Sequence, residues 1–327
     1  MHPLMHPLMH PLMNRRHWLA LAGAMLAGSR ASAAFAPDGA ARTMPLAARG
    51  PLLDLTLAGQ RLVAVGERGH VLLSDDQGAH WRQAQAVPTR VTLTALHASS
   101  ATQLWACGHG GTILRSDDAG EHWQRVAGEA RSPDVLLSIR VDAGGRGLAV
   151  GGFGFALASR DGGASWKPAT LLEGEEGERH LNRVFVSAAG TWLIAAESGH
   201  VLRSTDQGDT WAAVKTAYAG SLWSGADIGG TLLAGGMRGH WVRSTDDGRS
   251  WTQHRAEQAG SITAVVPLAA GRVLMVGGDG TQLQGAASAD AMDFRRLDDR
   301  STLTGAVPLP DGRLALAGAA GVRVIPG

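Results

Sequence analysis

The sequence predicts an all-β fold, a seven-bladed β-propeller with four-stranded blades, and three observations carry that prediction. An eight-residue frame, Ser-x-Asp-x-Gly-x-x-Trp, occurs five times: Ser74 to Trp81, Ser116 to Trp123, Ser159 to Trp166, Ser204 to Trp211 and Ser244 to Trp251. Its tryptophans stand 42, 43, 45 and 40 residues apart. A Gly-x-x-Gly turn keeps the same period at Gly66/Gly69, Gly108/Gly111, Gly151/Gly154, Gly236/Gly239, Gly277/Gly280 and Gly318/Gly321, with Ala196/Gly199 as a variant. Short apolar runs separate these landmarks. Four short strands in a repeat of about 42 residues are the pattern of a propeller blade, and seven Gly-x-x-Gly turns make seven blades.

In chain order, residues 1–36 are set apart as an extension plus export signal. Met1 to Leu12 is Met-His-Pro-Leu three times over, with nothing able to pack, and Met13 is the expected true start. From there Asn14-Arg15-Arg16 precedes an apolar run from Trp18 to Ala27, followed by small-x-small cleavage sites at Ala31-Ser32-Ala33 and Ala34-Phe35-Ala36. Sec or twin-arginine export would both fit. The apolar run is too short for a stable membrane anchor. A soluble periplasmic protein, lumenal in a photosynthetic organism, is the expectation.

Residues 37–327 read as one propeller. In the second unit the strands are expected at 92–96, 103–107, 112–115 and 123–126. The eight-residue frame suits the hairpin between the third and fourth strands. Asp accepts bonds from backbone N–H groups further along the turn, Gly takes positive φ, and Trp opens the returning strand with a large apolar surface. These positions are therefore expected to be structural: Asp76, Gly78 and Trp81; Asp118, Gly120 and Trp123; Asp161, Gly163 and Trp166; Asp206, Gly208 and Trp211; Asp246, Gly248 and Trp251. The sixth unit has lost the frame, but Phe294 stands 43 residues after Trp251, where the next Trp belongs. The seventh supplies strands at 303–309, 314–318 and 322–325 and no fourth. Counting back from Leu52 by the usual interval lands on 42–47, which is expected to pair onto the last blade as its outer strand and close the ring.

The frame is that of the Asp-box (BNR) repeats of sialidases and other propellers. Its longer form here, Val65-Gly66-x-x-Gly69-His70-Val71-Leu72-Leu73-Ser74-x-Asp76-x-Gly78-x-x-Trp81, resembles the photosystem II stability/assembly-factor family. The resemblance covers about residues 45–327. It implies a seven-bladed propeller and a non-catalytic scaffold that assists assembly or stability of a membrane protein complex. Outside photosynthetic organisms it implies another client, such as a transporter component.

Composition narrows the choices. A formal net charge of +1 predicts no electrostatic attraction to nucleic acid. Cys107 is the lone cysteine, excluding an internal disulfide, and its apolar setting reads as a buried small hydrophobe. No cofactor, metal site or catalytic residue is expected, and the protein is expected to be a monomer. The up-and-down order of strands puts the Asp boxes on one face. The second-to-third turns and the fourth-to-first connections share the other. Interfaces favour arginine and aromatic residues, so Arg68, Arg90, Arg140, Phe153, Arg183, Tyr218 and Arg238 are the candidates for partner binding.

The alternative is a periplasmic glycoside hydrolase of the sialidase kind, or a glycan-binding propeller. Tyr218 is the only tyrosine for a nucleophile, and Asp54 and Asp227 are the carboxylates that would have to face one another across a cleft. No local motif supports any of the three. His70, His200 and His240 share one repeat position on separate blades, which reads as a feature of the blade rather than a metal site.

Overall fold

In a computed structural model, which describes residues 39–129 and 131–327, the strands assemble into seven antiparallel sheets. The expected extension and export signal at 1–36 lie outside the described residues. Blade 1 comprises Leu52–Ala58, Arg61–Gly66, Val71–Ser74 and Arg82–Gln83, and blade 2 comprises Leu93–Ala98, Leu104–Gly108, Ile113–Ser116 and Gln124–Ala127. Blades 3 to 6 begin with the first strands Leu136–Val141, Leu181–Val186, Leu222–Ile228 and Ile262–Pro267 and repeat the plan. Blade 7 comprises Leu303–Pro308, Leu314–Gly318 and Gly321–Ile325. Among the described residues, six sheets have four strands and the seventh has three.

The core is divided among the seams. Each of seven hydrophobic clusters is built from two neighbouring blades, including Leu55, Leu62 and Leu72 of blade 1 against Val307, Ala315 and Ala317 of blade 7. Burying one such Leu or Val contributes roughly 1.5–3 kcal/mol, so each blade depends on its neighbours for its core. The tryptophan directly before the fourth strand of blades 1 to 5 faces the preceding blade; in blade 6 the pairing of Asp293 with Gln284 puts Met292 at that position, and the expected Phe294 lies two residues on, inside the strand. Trp123 joins the seam of blades 1 and 2, Trp166 that of 2 and 3, Trp211 that of 3 and 4, Trp251 that of 4 and 5, and Phe294 that of 5 and 6. Trp81 reaches the seam of blades 7 and 1.

Around the channel the first strands are tied by a belt of polar bonds, one at every seam. Leu96 N donates to Asp54 Oδ2 (2.9 Å), Thr94 Oγ1 to Leu136 O (2.5 Å), Val184 N to Ser138 Oγ (3.1 Å) and Asn182 Nδ2 to Leu222 O (2.8 Å). The circuit continues with Val265 N to Ser224 Oγ (3.1 Å), Thr263 Oγ1 to Leu303 O (2.6 Å) and Thr304 Oγ1 to Leu52 O (2.8 Å). The last bond joins blade 7 to blade 1 and closes the ring.

The expected outer strand at 42–47 does not form. Ala41 N donates to Val87 O, Gln83 Nε2 to Arg42 O, and Met44 N to Gln83 Oε1, so this stretch lies along blade 1. A short 3-10 turn, Ala47–Arg49, then reaches the last blade, where Ala47 and Ala48 pack near Val322 and Val324. The reason is chemical: Pro45 has no N–H to give a ladder, and Ala41 stands where blades 1 to 5 carry a tryptophan. The segment takes only the place of a fourth-to-first connection. A Cβ on Gly321 would meet Ala48 O at 2.1 Å, as one on Gly199 would meet Tyr218 O at 1.7 Å.

Candidate functional site

The two faces of the ring differ in chemistry. On one, all five boxes repeat a closed hydrogen-bond set. The box Ser Oγ donates to Asp Oδ1 at 2.7–2.9 Å and accepts from the box Gly N at 2.8–2.9 Å. Asp Oδ1 also accepts the N–H four residues on, and Oδ2 pairs with that residue's side chain: His80, His122, Ser165, Thr210 or Ser250. Trp81, Trp123, Trp211 and Trp251 donate Nε1 to the box glycine carbonyl. Both carboxylate oxygens are thus consumed by the turn. Ion pairs fill the remaining space: Arg61 bridges Asp75 and Glu121, Arg82 adds to both acids, and Arg146 and Arg160 meet Asp209.

This bonding holds the box carboxyls below the usual range. Side-chain and backbone donation by Ser165, with help from Ser159, brings Asp161 down to about 2. Backbone and side-chain bonds from His80 do the same for Asp76. A carboxyl lowered on folding adds stability that is present above its unfolded pKa and lost as pH falls through the folded value. The predicted result is that the stability gap between wild type and Asp161→Asn, steady near neutrality, closes as pH drops from about 4 towards 2. Denaturant titrations of both proteins across that window check it, and a gap independent of pH would contradict it.

The opposite face carries the second-to-third turns. Five of the seven turns hold a non-glycine residue in the left-handed region: Arg68 (φ 58°), Phe153 (53°), Ser198 (57°), Arg238 (54°) and Asp279 (57°). Such a conformation strains a non-glycine residue, and here the third strand begins two or three residues after it. Phe153 is 79% exposed, with its ring 4.5 Å from that of His180. Arg68 and Arg238 are exposed on the turns of blades 1 and 5. Met44, Pro45 and Leu46 stand beside the blade 1 turn and, with Pro51, Arg68 and His70, line an apolar groove of about 380 Å³.

Three of the other four candidates are held by contacts within the fold. Arg90 donates Nε to Ala40 O at 2.8 Å and pins the segment before blade 1. Tyr218 is buried, its hydroxyl accepts from Met237 N at 3.1 Å, and its ring stacks on His240 at 4.8 Å. Arg183 crosses the channel to Asp54 (3.1 Å). Arg140 pairs with Leu148 near the end of its strand, so it sits towards the box face, away from the turns, where burial lowers its pKa. The structure therefore exposes Arg68, Phe153 and Arg238 on the turn face, holds Arg90 and Tyr218 in contacts beside that face, and puts Arg183 in the channel and Arg140 towards the box face.

A polar cavity of about 130 Å³ opens in the channel between Asp54, Asn182, Arg183, Thr263 and Thr304, with Trp223 at its wall. Asp54 is buried and accepts from Leu55 N and Leu96 N at 2.9 Å. Asp227 accepts from Ala188 N and Gly230 N beside the first-to-second turn. The two carboxylates lie at different ends of their strands and do not face one another. Among the described residues, no three His, Cys, Asp or Glu side chains group so as to hold a metal ion. No described helix is long and apolar enough to cross a membrane. Cys107 is buried, which pushes its thiol up to about 12.

The family model described as photosynthesis system II assembly factor YCF48 matches residues 131–283. Among solved structures, a YCF48 bound to D1 peptide is similar with a TM-score of 0.67 at 14% identity, over 89% of this chain and 96% of that one. YCF48 from Cyanidioschyzon merolae is similar with a TM-score of 0.63 at 18% identity, over 88% and 98%. A streptogramin B lyase is similar with a TM-score of 0.73 at 11% identity, over 86% and 96%. At such identities the structural likenesses speak to fold, and one fold hosts many functions. No curated protein matches the chain by sequence.

Proposed function

We propose that this chain, a photosystem II assembly-factor-like propeller, acts as a non-catalytic exported scaffold that holds an extramembrane segment of a membrane protein against its turn face. One observation carries the reading. Among the described residues, the exposed large hydrophobic side chains are Met44, Leu46, Phe153, Trp223 and Met237, and every one lies on the turn face or at its mouth of the channel. Exposed apolar groups gathered on one face mark an interaction surface, and Arg68 and Arg238 beside them add the residue type interfaces favour. The box face is committed to its own hydrogen bonds and ion pairs. A structural neighbour is a YCF48 bound to D1 peptide, which supports a peptide segment as the kind of client. In a photosynthetic host the scaffold works in the lumen, and elsewhere in the periplasm on another envelope complex. Catalysis has little support, because Tyr218, Asp54 and Asp227 are each spent on backbone groups.

Affinity capture from solubilised membranes, with bound proteins identified by mass spectrometry, tests the proposal. Wild type and Asp206→Ala retain the same membrane complex. Phe153→Ala/Met237→Ala and Arg68→Glu/Arg238→Glu lose it by roughly tenfold or more, the size expected when interface anchors are removed. A complex retained equally by the turn-face variants, or none retained by wild type, would remove the reading.

A further inference from the structure

The third strand of blade 7, Gly321–Ile325, pairs with Leu314–Gly318 on one side and with no strand on the other among the described residues. In blades 1 to 6 the corresponding side is covered by a fourth strand, as when His200 to Arg203 pair with Lys215 to Ala212. An uncovered edge presents unpaired backbone donors and acceptors, which is the template for an added strand.

The chain itself shows what chemistry that position takes. Five of the six fourth strands are directly preceded by a tryptophan, Trp81, Trp123, Trp166, Trp211 and Trp251, and the sixth by Met292 with Phe294 two residues further on. Each of these rings packs into the seam with the preceding blade. The seam of blades 6 and 7 has none. Its cluster consists of Leu274, Val276, Leu303, Ala306, Leu314 and Leu316, bordered by Ala264, Val266, Leu268, Leu297 and Ile325, all aliphatic. Among the described residues this edge thus lacks a ring as well as a ladder. The one described segment that approaches, through Ala47 and Ala48, touches the Gly321 end and the side chains of Val322 and Val324 without pairing with the strand, and its earlier residues Arg42 and Met44 are bound to blade 1.

We propose that the outer edge of blade 7 is a β-augmentation site, which binds an extended segment of another protein led by an aromatic residue. Backbone pairing along Val322–Ile325 supplies affinity, and a Trp or Phe side chain in the seam of blades 6 and 7 supplies register. This site lies on the rim of the ring and is separate from the turn face argued above.

The test uses a synthetic peptide copying this chain's own fourth strand, residues 211–216 (Trp-Ala-Ala-Val-Lys-Thr), labelled for fluorescence anisotropy with the full protein. Saturable binding is expected. Replacing the peptide's tryptophan by alanine should weaken it about tenfold, and backbone N-methylation at alternate residues should abolish it by blocking the ladder. A photo-crosslinking phenylalanine in place of the tryptophan should label blade 7 at 314–325. No saturable binding, as when the edge is already filled by the protein's own residues or by a second copy, overturns the proposal. So does binding indifferent to N-methylation, or crosslinks confined to the turn face.

Discussion

Gly163→Ala is expected to lower the stability of the propeller by roughly 2–5 kcal/mol, combining the cost of a side chain in the left-handed region with overpacking of the core. Gly163 has φ +80°, and a Cβ there would lie 2.1 Å from the Trp105 ring. That ring has nowhere to retreat. Trp105 is fully buried, donates Nε1 to Ser99 Oγ at 2.8 Å, and meets Trp166 edge-on at a centroid distance of 6.0 Å. Trp105 belongs to blade 2 and Gly163 to the box of blade 3, so the collision falls on a seam. Gly208 is the internal control. Its φ is +89°, but the nearest atom to an added Cβ is 3.6 Å away, so Gly208→Ala should cost only the backbone term, roughly 1–2 kcal/mol. Urea denaturation of the two variants measures the difference. Equal losses would mean that the boxes act as isolated turns rather than as wedges between blades.

That contrast bears on what the sequence could reveal. The Asp boxes were legible because their bonding is local: Ser, Asp, Gly and Trp meet within eight residues, and the strand positions followed from the period to within a residue or so. The left-handed residue before the box glycine was hidden, because Gln77, Ala119, Gln207 and Asp247 share a conformation but no single side-chain type. The polar belt was hidden for a related reason. It uses Asp, Ser, Thr and Asn at two adjacent strand positions, and each partner lies some 40 residues away or, for Thr304 and Leu52, across the whole chain. The outer strand at 42–47 failed on Pro45, whose missing N–H was in plain view but was outweighed by the count from Leu52. Tyr218 looked like an anchor by residue type, yet its hydroxyl is occupied by Met237 of the neighbouring turn. Exposure of Met44 and Leu46 depends on where the diverted segment lies, which no local pattern encodes.

Asp54→Ala is the second large effect expected, a loss of roughly 2–6 kcal/mol, because removing this buried carboxylate strands the buried donors it accepts. Asp54 is 6% exposed. Its two oxygens accept Leu55 N, Leu96 N and Arg183 Nη1, so one carboxylate ties blade 1 to blade 2 and, across the channel, to blade 4. Alanine leaves two buried N–H groups and one guanidinium without an acceptor, and each unsatisfied buried donor costs about 1–3 kcal/mol. Arg183 is half-exposed and can turn partly to solvent, so the backbone donors should account for most of the loss. The double variant Asp54→Ala/Arg183→Met separates the contributions. If the cross-channel pair matters, adding Arg183→Met to Asp54→Ala costs less than Arg183→Met alone, and the coupling energy in the cycle is clearly above zero. A strictly additive cycle would assign Asp54 to the belt between blades 1 and 2 alone. The channel pair would then be a surface contact of little weight, and ring closure would rest on the seven seams and their backbone acceptors.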